Sequence, residues 1–200
     1  MDLFTQGQKI TLFFQKNQNM VEMSCSIDAI FDDRLILILP QYFMRYVEFL
    51  QVGMPLTAKV FTKIGTIDFN TIVIASPLEE LFTIELDKNS LKIISNEEIP
   101  IIDATESLDI IQGHSVNRVK TFKISPEFVK FNSDKHYNIN DEVDCVLNLP
   151  KDYGIIEFKA AITEIDPIYD TEYTAVYTTM TEKVRQTLLY FMYIYSRDIS

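Results

Sequence analysis

The chain has 200 residues, 47% of them apolar, and a formal net charge of −11 at pH 7. That length suits one large domain or two of about 100 residues each. No apolar run approaches the ~18 residues of a membrane-spanning helix. The acidic balance also opposes nucleic-acid binding, whose affinity comes largely from Lys and Arg releasing counterions.

The opening segment, Met1 to Lys9, has an acid at position 2 and no apolar stretch before a small-residue cleavage site. No signal peptide is expected from it. Met23, Cys25 and Ile27 then alternate with Glu22, Ser24, Ser26 and Asp28, the period of a half-buried strand. Asp32-Asp33 reads as a turn, and Leu35 to Pro40 as the next strand. After Pro40, Phe43, Val47 and Leu50 stand at helical spacing, which predicts a short helix over Gln41 to Leu50. Phe82, Ile84 and Leu86 alternate with Thr83 and Glu85. The stretch from Ser95 to Asp109 mixes acids with isolated aliphatics and shows no period, so a linker is placed at 95–112 between domains 1–94 and 113–200.

Alternation resumes beyond it. Val143, Cys145, Leu147 and Leu149 share one face, Ile156, Phe158, Ala160 and Ile162 another, and Tyr173, Ala175 and Tyr177 a third. Such short strands, spaced by turn signals, predict a mostly β chain built as two small antiparallel barrels. Thr179 and Glu182 fit a capping box. After them, Val184, Leu188, Phe191, Met192 and Tyr195 form one apolar stripe, predicting a C-terminal α-helix from Glu182 to Arg197. The stripe serves either to cap the preceding barrel or to dock a partner, a role to which Tyr190, Tyr193 and Tyr195 are suited.

Catalytic chemistry finds little support. His114 and His136 lie outside any metal-ligand spacing, and no serine sits in a nucleophile elbow. The chain contains neither a dinucleotide-binding glycine motif nor a P-loop. The acid pairs Asp32-Asp33, Glu79-Glu80 and Glu97-Glu98 are neighbours in sequence, whereas catalytic carboxylates must converge in one cleft. Cys25 and Cys145 fit no disulfide or zinc pattern and read as buried thiols in a reducing, cytoplasmic compartment. The expectation is a non-enzyme with no cofactor and no metal. One local basic segment remains. Arg118, Lys120, Lys123 and Lys130 are interspersed with Phe122, Phe128 and Phe131, and this segment is either a solvated strand face or a receiver of phosphate.

The order of these features resembles a known family. Gly7 leading Ile10-Thr11-Leu12, then Met23 to Asp33 running into Leu35 to Pro40, then Gly53 before Leu56 to Val60 and Ile67-Asp68-Phe69, resembles the N-terminal split-barrel domain of YcgR-type flagellar brake proteins. Lys123 to Phe128, Asn140 to Val143, Ile155 to Ile165, Tyr173 to Thr179 and the C-terminal helix are similar to a PilZ domain. The resemblance implies a YcgR-like barrel followed by a PilZ-like barrel and a C-terminal helix. It also implies cyclic di-GMP recognition through an RxxxR motif at the domain junction and a [DN]xSxxG turn. Here Asn96 to Ile102 holds no arginine, and of the turn motif only Ser125 remains, with Lys123 and Phe128 replacing the acid or amide and the glycine.

Two expectations follow. The first is a regulatory or adaptor protein of this type acting through protein contacts with flagellar motor or other motility or envelope machinery, with cyclic di-GMP and nucleic acid not expected among its partners. The second is a cyclic di-GMP or other cyclic dinucleotide receptor with a non-standard site, regulating motility, in which Arg118, Lys120, Lys123 and Ser125 bind the ligand.

Overall fold

The computed structural model describes residues 3–16, 19–62, 65–78, 82–150 and 153–198. The chain divides into two units, Met1–Glu98 and Ile99–Ser200.

In the first unit the alternating segments become β1 (Lys9–Lys16), β2 (Asn19–Ile30), β3 (Arg34–Ile38), β4 (Pro55–Thr62), β5 (Gly65–Ala75), β6 (Thr83–Asp87) and β7 (Lys92–Glu97). All pairings are antiparallel, and six strands run in the order β4-β1-β2-β3-β6-β5, with β4 pairing β5 to close the barrel. Inward positions are the apolar half of each alternation: Ile10, Leu12, Met23, Cys25, Ile27, Leu35, Leu37, Ala58, Val60, Ile84 and Leu86 are all buried. Such closure leaves no ragged barrel edge. β7 lies outside the closed ring, beside β5.

The segment after Pro40 is helical, as its spacing predicts, but it is a 3-10 helix, Gln41–Phe49. It buries Phe43 against the core. Phe82 departs from the expected alternation. It precedes β6 with φ 68°, is exposed, and meets Phe43 edge-on with ring centroids 5.5 Å apart. Gly65 opens β5 at φ 153°, and a Cβ there would stand 2.1 Å from the Glu97 carbonyl oxygen. Only a residue without a side chain lets β7 approach so closely. The acid pair Glu79-Glu80 lies outside the described residues.

The second unit contains β8 (Ser107–Gln112), β9 (Ser115–Ile124), β10 (Phe128–Asn132), β11 (Glu142–Asn148), β12 (Ile155–Ile165), β13 (Glu172–Thr179) and the helix α1 (Glu182–Asp198). Its six strands form a closed barrel in the order β10-β13-β12-β11-β8-β9. The stretch 95–112, expected as a linker, holds the end of β7 and all of β8. Its isolated aliphatics are single anchors: Ile99, Ile102 and Ala104 are buried, and Ile102 exchanges backbone hydrogen bonds with Ile124.

The barrel interior combines aromatic and polar groups. Phe131 stacks on Tyr173 at 5.6 Å, and Tyr137 meets Tyr173 edge-on at 5.3 Å. The Asn117 amide donates to Ser133 Oγ and to the Tyr137 hydroxyl, each at 2.9 Å. These bonds satisfy polar groups that burial would otherwise leave unpaired.

α1 begins where the sequence predicts, although Thr181 supplies the cap: its hydroxyl accepts from Val184 N at 3.4 Å, while Thr179 belongs to β13. Leu188, Leu189, Phe191 and Met192 are buried, Phe191 meets the Tyr153 ring at 5.2 Å, and the Tyr195 hydroxyl donates to the Asp103 carbonyl. The stripe is thus covered within its own unit, which favours barrel capping over partner docking. Among the described residues no helix is long and apolar enough to cross a membrane.

Candidate ligand-binding face

β9 and β10 form a hairpin on the second barrel, and its outer face carries the basic segment. Along β9 the inward residues are Val119, Thr121 and Ile124, leaving Arg118, Lys120 and Lys123 exposed. Along β10 Val129 and Phe131 point inward, with Phe128 and Lys130 half-buried on the other side. The pairing sets Lys123 directly opposite Lys130 and Asn132 opposite Lys120, with a register shift between Lys130 and Phe131. Opposed residues on paired strands have Cβ atoms about 4.5–5.5 Å apart, and like charges so placed repel. The Glu164 carboxylate, 3.3 Å from Lys130 Nζ, offsets part of that repulsion and leaves Lys123 as the unbalanced charge of the pair.

The four predicted site residues are brought onto this hairpin but are not equally available. Arg118 makes a bidentate pair with Asp109, its neighbour across β8 and β9: Nε donates to Oδ1 at 2.6 Å and a terminal nitrogen to Oδ2 at 2.9 Å. This bond holds the Asp109 carboxyl below its usual range and the guanidinium above its own. Lys120 and Lys123 are exposed. Lys120 acts on Glu106, whose carboxyl is nevertheless raised, because burial outweighs the lysine's attraction.

Ser125 is buried at 2% exposure and faces inward into the turn. Its hydroxyl oxygen accepts the backbone N–H groups of Glu127 and Phe128, at 3.0 and 3.1 Å, while Ser125 N donates to the Phe128 carbonyl. It therefore acts as a turn former that fixes the approach of β9 to β10. Phe128, where the family turn has glycine, is not among the positive-φ residues. The turn instead runs through the buried Pro126 and the Ser125 hydroxyl.

Sequence inspection alone did not bring Glu164 to this face. Its carboxylate receives the Thr174 hydroxyl at 3.0 Å and Lys130 Nζ at 3.3 Å, and it is held below its usual range by these two contacts. Asp166 is lowered by backbone N–H donors from Tyr169 and Ile168, as befits a turn former. The depression beside Lys130, lined also by Phe122, Glu172 and Tyr173, holds only about 20 Å³. A ligand here would lie on the face. The larger concavity, about 1100 Å³, belongs to the first unit and contains none of the predicted site residues; Phe13, Met20, Phe49, Lys59, Asp68 and Ile72 are among its lining. His114 and His136 are exposed loop residues, and the described residues contain no cluster of three or more potential metal ligands. Both thiols are buried, and burial pushes each up to about 12.

No protein-family model matches the chain, and no curated protein does. Among solved structures it is similar to the Bacillus subtilis inhibitor of motility MotI/DgrA, at 15% identity and a TM-score of 0.45, covering 98% of this chain and 99% of that one. YcgR of Escherichia coli, solved in complex with c-di-GMP, gives 13% identity and a TM-score of 0.45, with 96% and 85% covered. The K. pneumonia MrkH–c-di-GMP complex gives 10% identity and a TM-score of 0.41, with 97% and 90% covered. MrkH is also described as a c-di-GMP-dependent transcription regulatory factor. These structures correct the partner expectation. Neither the case against cyclic di-GMP nor the exclusion of nucleic acid stands when similar structures hold that ligand and include a transcription factor. Net charge averages over the whole surface, whereas a ligand meets one face. In its sequence order and its two closed β-barrels, the chain resembles the YcgR-like PilZ-domain proteins.

Proposed function

We propose that the chain is a non-enzymatic regulator of the PilZ type that binds a cyclic dinucleotide, cyclic di-GMP first among them, on the outer face of the β9–β10 hairpin, and that this binding regulates motility. One observation carries the reading: Lys123 stands directly opposite Lys130, with Lys120 further along the same hairpin and Phe122 and Phe128 beside them. A cyclic dinucleotide offers what such a face receives, namely two phosphates for the ammonium groups and two flat bases for the phenyl rings. Lys120 and Lys123 supply charge, Ser125 positions the turn, and Arg118 adds a bidentate fork once it leaves Asp109. The sequence resemblance implies that motility machinery receives the signal through protein contacts.

The test is calorimetric titration of the full chain with cyclic di-GMP, beside a thermal melt. The expected result is saturable binding and a raised melting temperature, because a ligand of the native state stabilises it. The double variant Lys123→Glu/Lys130→Glu should lose both while keeping its circular dichroism spectrum. Absence of heat and of a thermal shift in the native chain would overturn the reading. So would binding that the double variant leaves unchanged.

A further inference from the structure

β7 has a neighbour on one side only among the described strands: it pairs with β5 and with nothing beyond. An open strand edge presents unpaired N–H and C=O groups and is a template for another chain. This one also exposes its apolar residues, Ile93 at 54% and Ile94 at 56%. No proline interrupts it.

The register says what fits. Lys92 stands opposite Asn70, Ile93 opposite Phe69, Ser95 opposite Asp68, Asn96 opposite Ile67 and Glu97 opposite Thr66. Ile94 is the extra residue of a β-bulge. In a regular strand Lys92 and Glu97, an odd number of residues apart, would face opposite sides. The bulge removes one step from the ladder. Lys92, Ser95 and Glu97 therefore share a face, with Lys92 and Glu97 each two ladder steps from Ser95. In charge, the strand is antisymmetric about Ser95, positive two steps to one side and negative two steps to the other.

From this geometry we infer that β7 pairs with β7 of a second copy of the chain, antiparallel, about a two-fold axis at Ser95. Lys92 of each copy then lies opposite Glu97 of the other, on one face. On the other face Ile93 of each copy lies opposite Asn96. An isologous contact of this kind is self-complementary, as a two-fold dimer requires. Sliding the register by one ladder step in either direction takes Lys92 away from Glu97 and loses both ion pairs. A bulge commonly protects an edge from pairing at random. Here it restricts pairing to the one register in which charges match.

The experiment is sedimentation velocity on the full chain, with circular dichroism to verify folding. The native chain should sediment as a dimer. Lys92→Glu and Glu97→Lys should each sediment as monomers, since each places two like charges opposite each other. An equimolar mixture of the two variants should recover the dimer, because every opposed pair is again of opposite sign. A native chain that stays monomeric at its highest soluble concentration would overturn the inference. So would a dimer that persists in both single variants, or folded variants that fail to associate when mixed.

Discussion

The two barrels reach closure with the same number of strands and fill it differently. The first has a mainly aliphatic interior joined by Phe4, Phe43 and Phe69, and its buried Gln8 and Thr71 side chains each donate to a backbone carbonyl. The second carries an aromatic set, Phe131, Tyr137 and Tyr173, bonded through the Tyr137 hydroxyl to Asn117 and Ser133, and it adds a capping helix. An aliphatic core resists by area and tolerates a change of shape at modest cost. A core with buried polar groups resists by geometry, since every donor must keep its acceptor. The second barrel is accordingly expected to be the more specific structure, and the less forgiving one.

The sharpest break should come from Phe131→Ala. It removes a fully buried ring from a three-ring cluster with Tyr137 and Tyr173 and is expected to destabilise the second barrel by about 3–5 kcal/mol. Urea unfolding measures this, and a loss below the cost of an ordinary surface change would contradict the aromatic-core account. Next comes Asn117→Ala, which takes one hydrogen bond from the Tyr137 hydroxyl and one from Ser133 Oγ. Losing two bonds of about 0.5–1.5 kcal/mol each gives a cost of about 1–3 kcal/mol. Replacing Asn117 and Tyr137 together, by Ala and Phe, should cost less than the sum of the single changes; strict additivity would show that the bond does not couple them.

In the first barrel the comparable weak point is backbone. Gly65→Ala forces Glu97 away and is expected to cost about 1–3 kcal/mol, the usual range for overpacking. Hydrogen exchange should show faster exchange in β7 than in β1 and β2. Equal protection in variant and parent would rule out the close approach as the reason for glycine.

The smallest effect is electrostatic and falls on the second barrel. Asp109, Glu164 and Asp166 all have their folded carboxyls below the usual range. Groups shifted down contribute stability above the unfolded carboxylate range and lose it as pH falls through their folded values. Glu106, raised by burial, works the other way and is relieved as pH falls through its folded value, so acidification from neutrality should raise stability slightly before the three lowered carboxyls reduce it below the ordinary carboxylate range. Because these groups are largely solvent-screened, the loss should be slight and should shrink in salt. A second barrel that went on gaining stability below the ordinary carboxylate range would reverse the sign of the argument.

Much of this architecture was legible before the structure. Strict alternation at Met23-Cys25-Ile27, Val143 to Leu149 and Ile156 to Ile162 identifies inward faces without ambiguity, and all these residues are buried. The α1 stripe was equally plain, apart from Leu189. What could not be read is what depends on register. β7 has no alternation because both of its isoleucines face solvent. Arg118 looked available for a phosphate until strand pairing placed Asp109 beside it, nine positions earlier in the chain. Ser125 matched a ligand-turn serine by type, and its inward orientation follows from a turn that no linear pattern specifies. Glu164 reaches Lys130 across three strands, a distance of 34 positions.

Each barrel contains one cysteine on an inward strand position: Cys25 at 4% exposure in the first and Cys145 at 1% in the second. A thiol so enclosed reacts with a labelling reagent only when the strands around it part. The molecule thus carries two internal clocks, one per barrel, each reporting in seconds or hours how often its own wall opens. Chains with only Cys25 or only Cys145 would time the two barrels separately within the intact protein.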